Sequence, residues 1–243
     1  MMLLGLSQAA TAATQIIILA SFFASHNPGE SLFASPLPKT HLRQTPLHFG
    51  VYVTPEPEQN PIDPPERFIG YHAGVDFEIF DSELKEEVPV SAICTGEIIY
   101  SDYMSGYGGL IAQQCYVSDV PLLILYGHLS QKSLPRVGSN VLLGERIGTL
   151  APAYSSDSGH TRKHLHLGIY GGWDLKVYGY VSERRQLVEY VDPLLLLPPM
   201  AEPIEFSKKF LELTIPLCIS SFVEENSCNG KAFVGSGTFL TNP

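Results

Sequence analysis

The chain has 243 residues, 44% of them hydrophobic and 16% charged, with a formal net charge of −10. That apolar content is enough to bury a core in one domain with appendages, which excludes a disordered acidic chain. The acidity, with no basic stripe, excludes nucleic acid as a partner and disfavours simple adhesion to anionic lipid or wall polymer.

The first 29 residues carry no charge apart from His26, and their densest apolar run is Ile16 to Ala24. Residues 1–24 are expected to act as an export signal or an uncleaved membrane anchor. The basic n-region of a signal is absent, Phe22 suits a cut after Ala24 poorly, and the apolar run is short for a span. Nine of the 19 prolines then fall between Pro28 and Pro65, so residues 25–46 read as an extended linker. Residues 47–200 are the expected folded domain. It opens with a short strand at His48–Thr54, followed by a long proline-stiffened loop, Pro55 to Arg67, that could wall a cleft.

Tyr71-His72-Ala-Gly-Val-Asp76-Phe77 comes next. On a strand His72 and Asp76 share a face, Gly74 between them leaves room, and Val75, Phe77 and Ile79 point to the core. Alone, this spacing is weak and fits an exposed polar face. From Phe68 to Tyr170 short apolar runs alternate with glycine-bearing turns: Val88 to Ile93, Gly96 to Tyr100, Leu110 to Gln114 and Pro121 to Tyr126. This is the pattern of an all-β, antiparallel sandwich or barrel-like domain. His128, in Tyr126-Gly-His-Leu-Ser130, stands where a buried strand meets a loop, a good place for acid–base work and equally for a satisfied core histidine. His160 reads as a solvated loop residue, and His26, His41 and His48 as incidental.

His164-Leu-His166-Leu-Gly-Ile-Tyr170 is the strongest signal. Two histidines on one face of an apolar strand are costly unless engaged, at roughly 1–3 kcal/mol for each orphaned group. Two imidazoles and a carboxylate converging from two such strands make the ligand set of a catalytic zinc, with a fourth position for water. Val177 to Val191 mixes strand and short helix, and Asp192 to Leu197 closes the domain. Residues 201–243 form a short tail, with a short helix expected over Glu205–Leu213. Cys94, Cys115, Cys218 and Cys228 suit two disulfides in an oxidising compartment, with the pairing open.

Taken together, these motifs resemble the lysostaphin-like, LytM-type zinc metalloendopeptidases of peptidoglycan, over about residues 48–197. His72-x-x-x-Asp76, Tyr126-x-His128-Leu-Ser130 and His164-x-His166 match the family's motifs, and Gly96-Glu-Ile-Ile, Gly106-Tyr-Gly-Gly109 and Gly144-Glu-Arg-Ile-Gly148 follow its spacing. The resemblance implies a duplicated hybrid motif fold and one Zn2+ per chain held by His72, Asp76 and His166. It also implies His128 and His164 as the catalytic pair, peptidoglycan peptides as substrate, and an exported protein of the cell envelope or extracellular space. Members often carry Gly-Pro before His-x-His and Phe-Glu after it. Here Arg162-Lys163 and Leu167-Gly168 stand there, so the cleft wall differs. Tyr71 and Tyr52 are the nearest matches to an upstream tyrosine that some members use. The competing expectation is a catalytically inactive wall-binding or hydrolase-activating module of the same fold. Phosphocarrier domains that use two histidines fit less well, given the His-x-x-x-Asp motif, the cysteines and the apolar N-terminus. Biotinyl or lipoyl carriers lack their lysine-bearing turn here. Nothing in the sequence specifies an oligomeric state.

Overall fold

Apolar residues at every second position, cut by glycine turns, produce strands in long succession. The computed structural model describes residues 32–117, 120–172 and 174–198. Within them run β1 (Tyr52–Val53), β2 (Gly70–His72), β3 (Gly74–Glu78), β4 (Pro89–Ser91), β5 (Gly96–Met104) and β6 (Gly108–Val117). After these come β7 (Val120–Leu129), β8 (Asn140–Val141), β9 (Arg146–Thr149), β10 (His164–Gly171) and β11 (Tyr180–Val181). Helix among the described residues is limited to short 3-10 turns. None is long and apolar enough to cross a membrane.

Every strand pairing is antiparallel. The main sheet has the order β3-β10-β7-β6-β5-β8, beside a three-stranded sheet β1-β2-β11 and a ribbon β4-β9. One face of the main sheet, with Phe77, Ile124, Tyr126, Leu165 and Leu167, packs against Val90 and Ile147 of the ribbon. The opposite face, with Leu110, Leu123, Leu125 and Tyr170, packs against Val181 of the three-stranded sheet and against Ala73, which lies between β2 and β3. Cover on both faces explains why β7 is apolar at consecutive positions rather than alternate ones. The sheets stay open, with β3 and β8 as edges of the main one, so the described residues form layers and no closed barrel.

Two expectations meet a different structure. His72 and Asp76 do not share one strand: the chain breaks at Ala73, leaving His72 in the three-stranded sheet and Asp76 in the main sheet. Residues 32–46, read as extended linker, lie on the domain, with Phe33 and Leu37 in the core. Proline excludes these residues from helix and central strand but not from burial. Arg43 fastens the segment by pairing with both oxygens of Glu83 at 2.7 and 2.8 Å and by donating to the carbonyls of Pro38 and Glu78. The chain divides into units 1–203 and 204–243, and every described residue lies in the first. Residues 1–24 and the 201–243 tail, including its expected helix, Cys218 and Cys228, lie outside the described residues.

Cys94 and Cys115 form a disulfide across a sequence separation of 21 residues. A loop of that size stabilises by roughly 3 kcal/mol through the entropy it removes from the unfolded chain. Replacing both cysteines by alanine is expected to lower the urea-unfolding free energy by about that amount; an unchanged midpoint would contradict it.

Candidate metal centre and the histidines beside it

His166 stands opposite Asp76 in the β3–β10 ladder, and opposite Gly127 in the β10–β7 ladder. Leu165 and Leu167 point into the core, so His164 and His166 take the opposite face, as does Asp76 between Val75 and Phe77. Gly74 permits the approach: a Cβ there would lie 2.5 Å from the Leu167 carbonyl and 2.8 Å from the His166 ring. Its service is to the imidazole across the ladder. From the three-stranded sheet, His72 reaches the same point.

Three donor atoms converge. His72 Nε2 and His166 Nδ1 are 3.0 Å apart. Asp76 Oδ1 lies 3.0 Å from His166 Nδ1 and 3.2 Å from His72 Nε2. All three residues are buried, with 3% or less of their surface exposed. Donors bound at about 2.0–2.1 Å around a tetrahedral zinc lie about 3.3 Å from one another, so these spacings fit such an ion. The charges fit as well. Asp76, Glu66 and Glu78 all pair with the single guanidinium of Arg162, which leaves two negative charges, the complement of one divalent cation. His72 Nδ1 faces the His48 carbonyl at 3.4 Å, the kind of outer contact that orients a ligating imidazole, while His166 Nε2 has no partner.

His128 and His164 lie beside this point with ring centroids 4.3 Å apart. Simple alternation along β7 would send His128 to the core side with Tyr126. Instead the β6–β7 register shifts at this point, and His128 takes a left-handed φ of 65°. Such a bulge re-aims a side chain, and the conformation costs a β-carbon-bearing residue of order 1 kcal/mol. The turn is held by the His128 N–H donating to Tyr107 O at 3.1 Å and by the Ala151 N–H donating to His128 O at 2.9 Å. His128 Nδ1 lies 2.8 Å from the Ser158 carbonyl and His164 Nδ1 lies 2.9 Å from the Arg162 carbonyl. A carbonyl only accepts, so each Nδ1 carries a proton and the lone pair of the neutral ring lies on Nε2. His164 Nε2 lies 3.2 Å from Asp76 Oδ2.

Burial works to raise Asp76, but the charges of His164 and His72 and hydrogen bonds from His164 and His166 outweigh it and hold the carboxyl well below its usual range. Desolvation, then the charge of His164, pushes His128 well below the ordinary histidine value. Desolvation, only partly offset by the Asp76 hydrogen bond, brings His166 down to about 4. Both therefore stay neutral at pH 7, the state a metal ligand or a proton acceptor requires.

All five sequence-derived site residues meet here, but the surroundings contain residues that spacing did not reveal. The cleft over the site, about 210 Å3, is lined by Glu66, Phe68, Tyr107, Tyr178 and Tyr180 besides His128, His164, His166 and Asp76. Tyr52 and Tyr71 do not line it; they pack edge to face at 5.0 Å. The proline-rich loop supplies a wall residue, Glu66, as its length suggested. Of the pair before His164, Lys163 turns away to the carbonyls of Glu83 and Glu86, while Arg162 turns inward. Arg162 Nη2 donates to Asp76 Oδ2 at 2.8 Å and to Glu78 at 2.6 Å, and Nη1 bonds Glu66. His160 is exposed.

No curated protein matches the chain significantly. Among solved structures it is similar to Helicobacter pylori Csd3, at 18% identity over 70% of this chain and 36% of that one, with a TM-score of 0.43. It is also similar to the antimicrobial peptidase lysostaphin from Staphylococcus simulans, at 23% identity over 64% of this chain and 50% of that one, with a TM-score of 0.43. A chain of the SpoIIQ-SpoIIIAH pore forming complex matches at 17% identity over 69% of this chain and 91% of that one, with a TM-score of 0.45. The chain thus spans about a third of the Csd3 chain and half of the lysostaphin chain. Residues 70–176, from the strand that carries His72 to just past β10, match Peptidase family M23. The His-x-x-x-Asp and His-x-His motifs both lie inside that match, which spans 70–176 of the 243 residues.

Proposed function

We propose that this domain is a zinc-dependent endopeptidase that hydrolyses peptide bonds of bacterial peptidoglycan, in the cross-bridge or the stem peptide. The observation that carries the reading is the convergence of His72 Nε2, Asp76 Oδ1 and His166 Nδ1 at 3.0–3.2 Å, beside two histidines with their tautomers fixed. These three residues would hold the ion, which supplies Lewis acidity toward a peptide carbonyl and lowers the pKa of a water to about 7.

The chain's own residues divide the remaining work. His128, kept neutral by burial, accepts the proton of the attacking water on its Nε2. His164 Nε2 lies 3.2 Å from Asp76 Oδ2, and its ring lines the cleft. That places His164 to donate to the carbonyl oxygen as charge develops, or to the departing amine. Phe68, Val177 and Tyr180 give the cleft an apolar wall that limits water around the scissile bond. Export to the cell envelope or beyond is supported by the Cys94–Cys115 disulfide, a bond that persists in oxidising compartments.

Purified protein is expected to hold one zinc per chain, to lose it in His166→Ala, and to lose peptidoglycan hydrolysis on treatment with a chelator. Wild-type protein that binds muropeptides yet takes up no zinc would establish the inactive wall-binding module instead. His128→Ala is expected to keep its zinc while kcat drops on the order of 10²–10⁴-fold. Retention of full turnover in that variant would remove His128 from the mechanism. Gly74→Ala should weaken zinc binding, because its Cβ collides with the His166 ring; a zinc dissociation constant equal to wild type would show that the ring has room to move.

A further inference from the structure

We infer that the Arg162 guanidinium stands where a second metal ion would otherwise bind, restricting the centre to one ion and leaving His164 free for proton transfer. The inference rests on the metal-centre reading above and concerns a different set of donors. Asp76 presents two oxygens to two clusters. Oδ1 faces His72 and His166, and Oδ2 faces His164 Nε2 at 3.2 Å. Glu66, Asp76 and His164 each offer a ligand atom, all within 4.8 Å of one another and all buried. A carboxylate shared in this way is the usual bridge of two-metal hydrolytic centres, whose ions sit about 3.5–4 Å apart.

Carboxylates alone would not make that second cluster a cation site. The independent observation is that it already contains a cation. Arg162 is partly buried, with Nη2 2.8 Å from Asp76 Oδ2 and Nη1 on Glu66, and its Nε spans both Glu78 oxygens at 2.9 and 3.1 Å. Burial works against the charge, but the attraction of Asp76, then Glu78 and Glu66, outweighs it and raises the pKa of the guanidinium further. A guanidinium neutralises carboxylates but has no lone pair to offer and takes no ligand for itself. A metal ion in its place would take the His164 Nε2 lone pair. The Arg162 carbonyl meanwhile accepts the His164 Nδ1 proton at 2.9 Å, so one residue fixes the tautomer and excludes the competing cation.

The charge count runs the same way. Three carboxylates, one guanidinium and one divalent ion sum to zero with neutral histidines. Without the guanidinium the same centre is left negative and attracts a further cation.

The test is zinc stoichiometry on metal-stripped protein reloaded with excess zinc and dialysed, for wild type, Arg162→Ala, Arg162→Lys and Arg162→Ala with Glu66→Gln. Wild type and Arg162→Lys are expected to hold one ion and Arg162→Ala two, with the double variant returning to one. In Arg162→Ala the second ion consumes His164, so kcat should drop on the order of 10²-fold while the first ion stays bound. Arg162→Ala saturating at one ion, or wild type taking two under zinc excess, overturns the inference. If Arg162→Ala does not fold, Arg162→Gln replaces it, and the wild-type titration stands on its own. Wild type holding no zinc would overturn the metal-centre reading. In that event, an ion gained by Arg162→Ala and lost again in the double variant still supports the role of Arg162, and no gain overturns it.

Discussion

His166 stands opposite Asp76 across the β3–β10 ladder, and that pairing decides which side chains can meet. Strand faces alternate with a period of two, so a slip of one residue would set Leu165 or Leu167 against Asp76 and turn both histidines into the core. The core prevents the slip. Val75 and Phe77 on one strand and Leu165, Leu167 and Ile169 on the other are fully buried on the opposite face, and a slip of either strand would turn its apolar residues out of that core. At roughly 1.5–3 kcal/mol for each buried side chain, the apolar face holds the polar face in register far more strongly than the site could hold itself.

The polar face is costly to build, because it gathers charged groups and imidazoles where water is scarce. Glycines at 74 and 127 remove the steric part of that cost: at Gly127 a Cβ would come within 2.5 Å of the Tyr107 ring and 3.3 Å of the His166 Cβ. The electrostatic part is met by the guanidinium of Arg162 and, on the proposed function, would be completed by a divalent ion, since a buried charge without a partner costs several kcal/mol. The same arrangement that accommodates the carboxylates would therefore also set the appetite of the centre for metal.

Much of this was legible from the sequence wherever the information was local. Even spacing put His164 with His166 and separated both from Leu165 and Leu167, and the unbroken apolar text of β7 marked a strand covered on both sides. What remained hidden depends on contacts between distant residues or on backbone that leaves the regular period. Arg162 meets Glu66 across 96 positions, with no pattern to announce it. His128 would sit on the wrong face by parity, and only the bulge and its positive φ bring it round. The break at Ala73 moves His72 into another sheet, yet the two donors still converge, because a turn of chain can substitute for a shared strand face. Four cysteines allow three pairings, and the structure shows Cys94 with Cys115 because β6 pairs with β5 just past Cys94, Gly96 standing opposite Cys115. The prolines of residues 32–46 spoke against regular structure, and the segment is irregular, but Phe33 and Leu37 are apolar enough to bury.

The segment between β9 and β10 then takes on a significance its sequence did not suggest. It carries left-handed conformations at Tyr154, Gly159 and His160, held by the Tyr154 N–H on Thr161 O at 2.7 Å and the His160 N–H on Ser155 O at 2.8 Å. Its Ser158 carbonyl fixes the tautomer of His128, its Arg162 carbonyl fixes that of His164, and its Arg162 side chain sets the charge around Asp76. The groups proposed as proton acceptor, proton donor and metal ligand are thus all oriented by one stretch of chain that holds none of the three. On the function proposed above, changes in this stretch would retune the chemistry while every ligand stays in place, so the identity of residue 162 would bear on it as directly as that of His166.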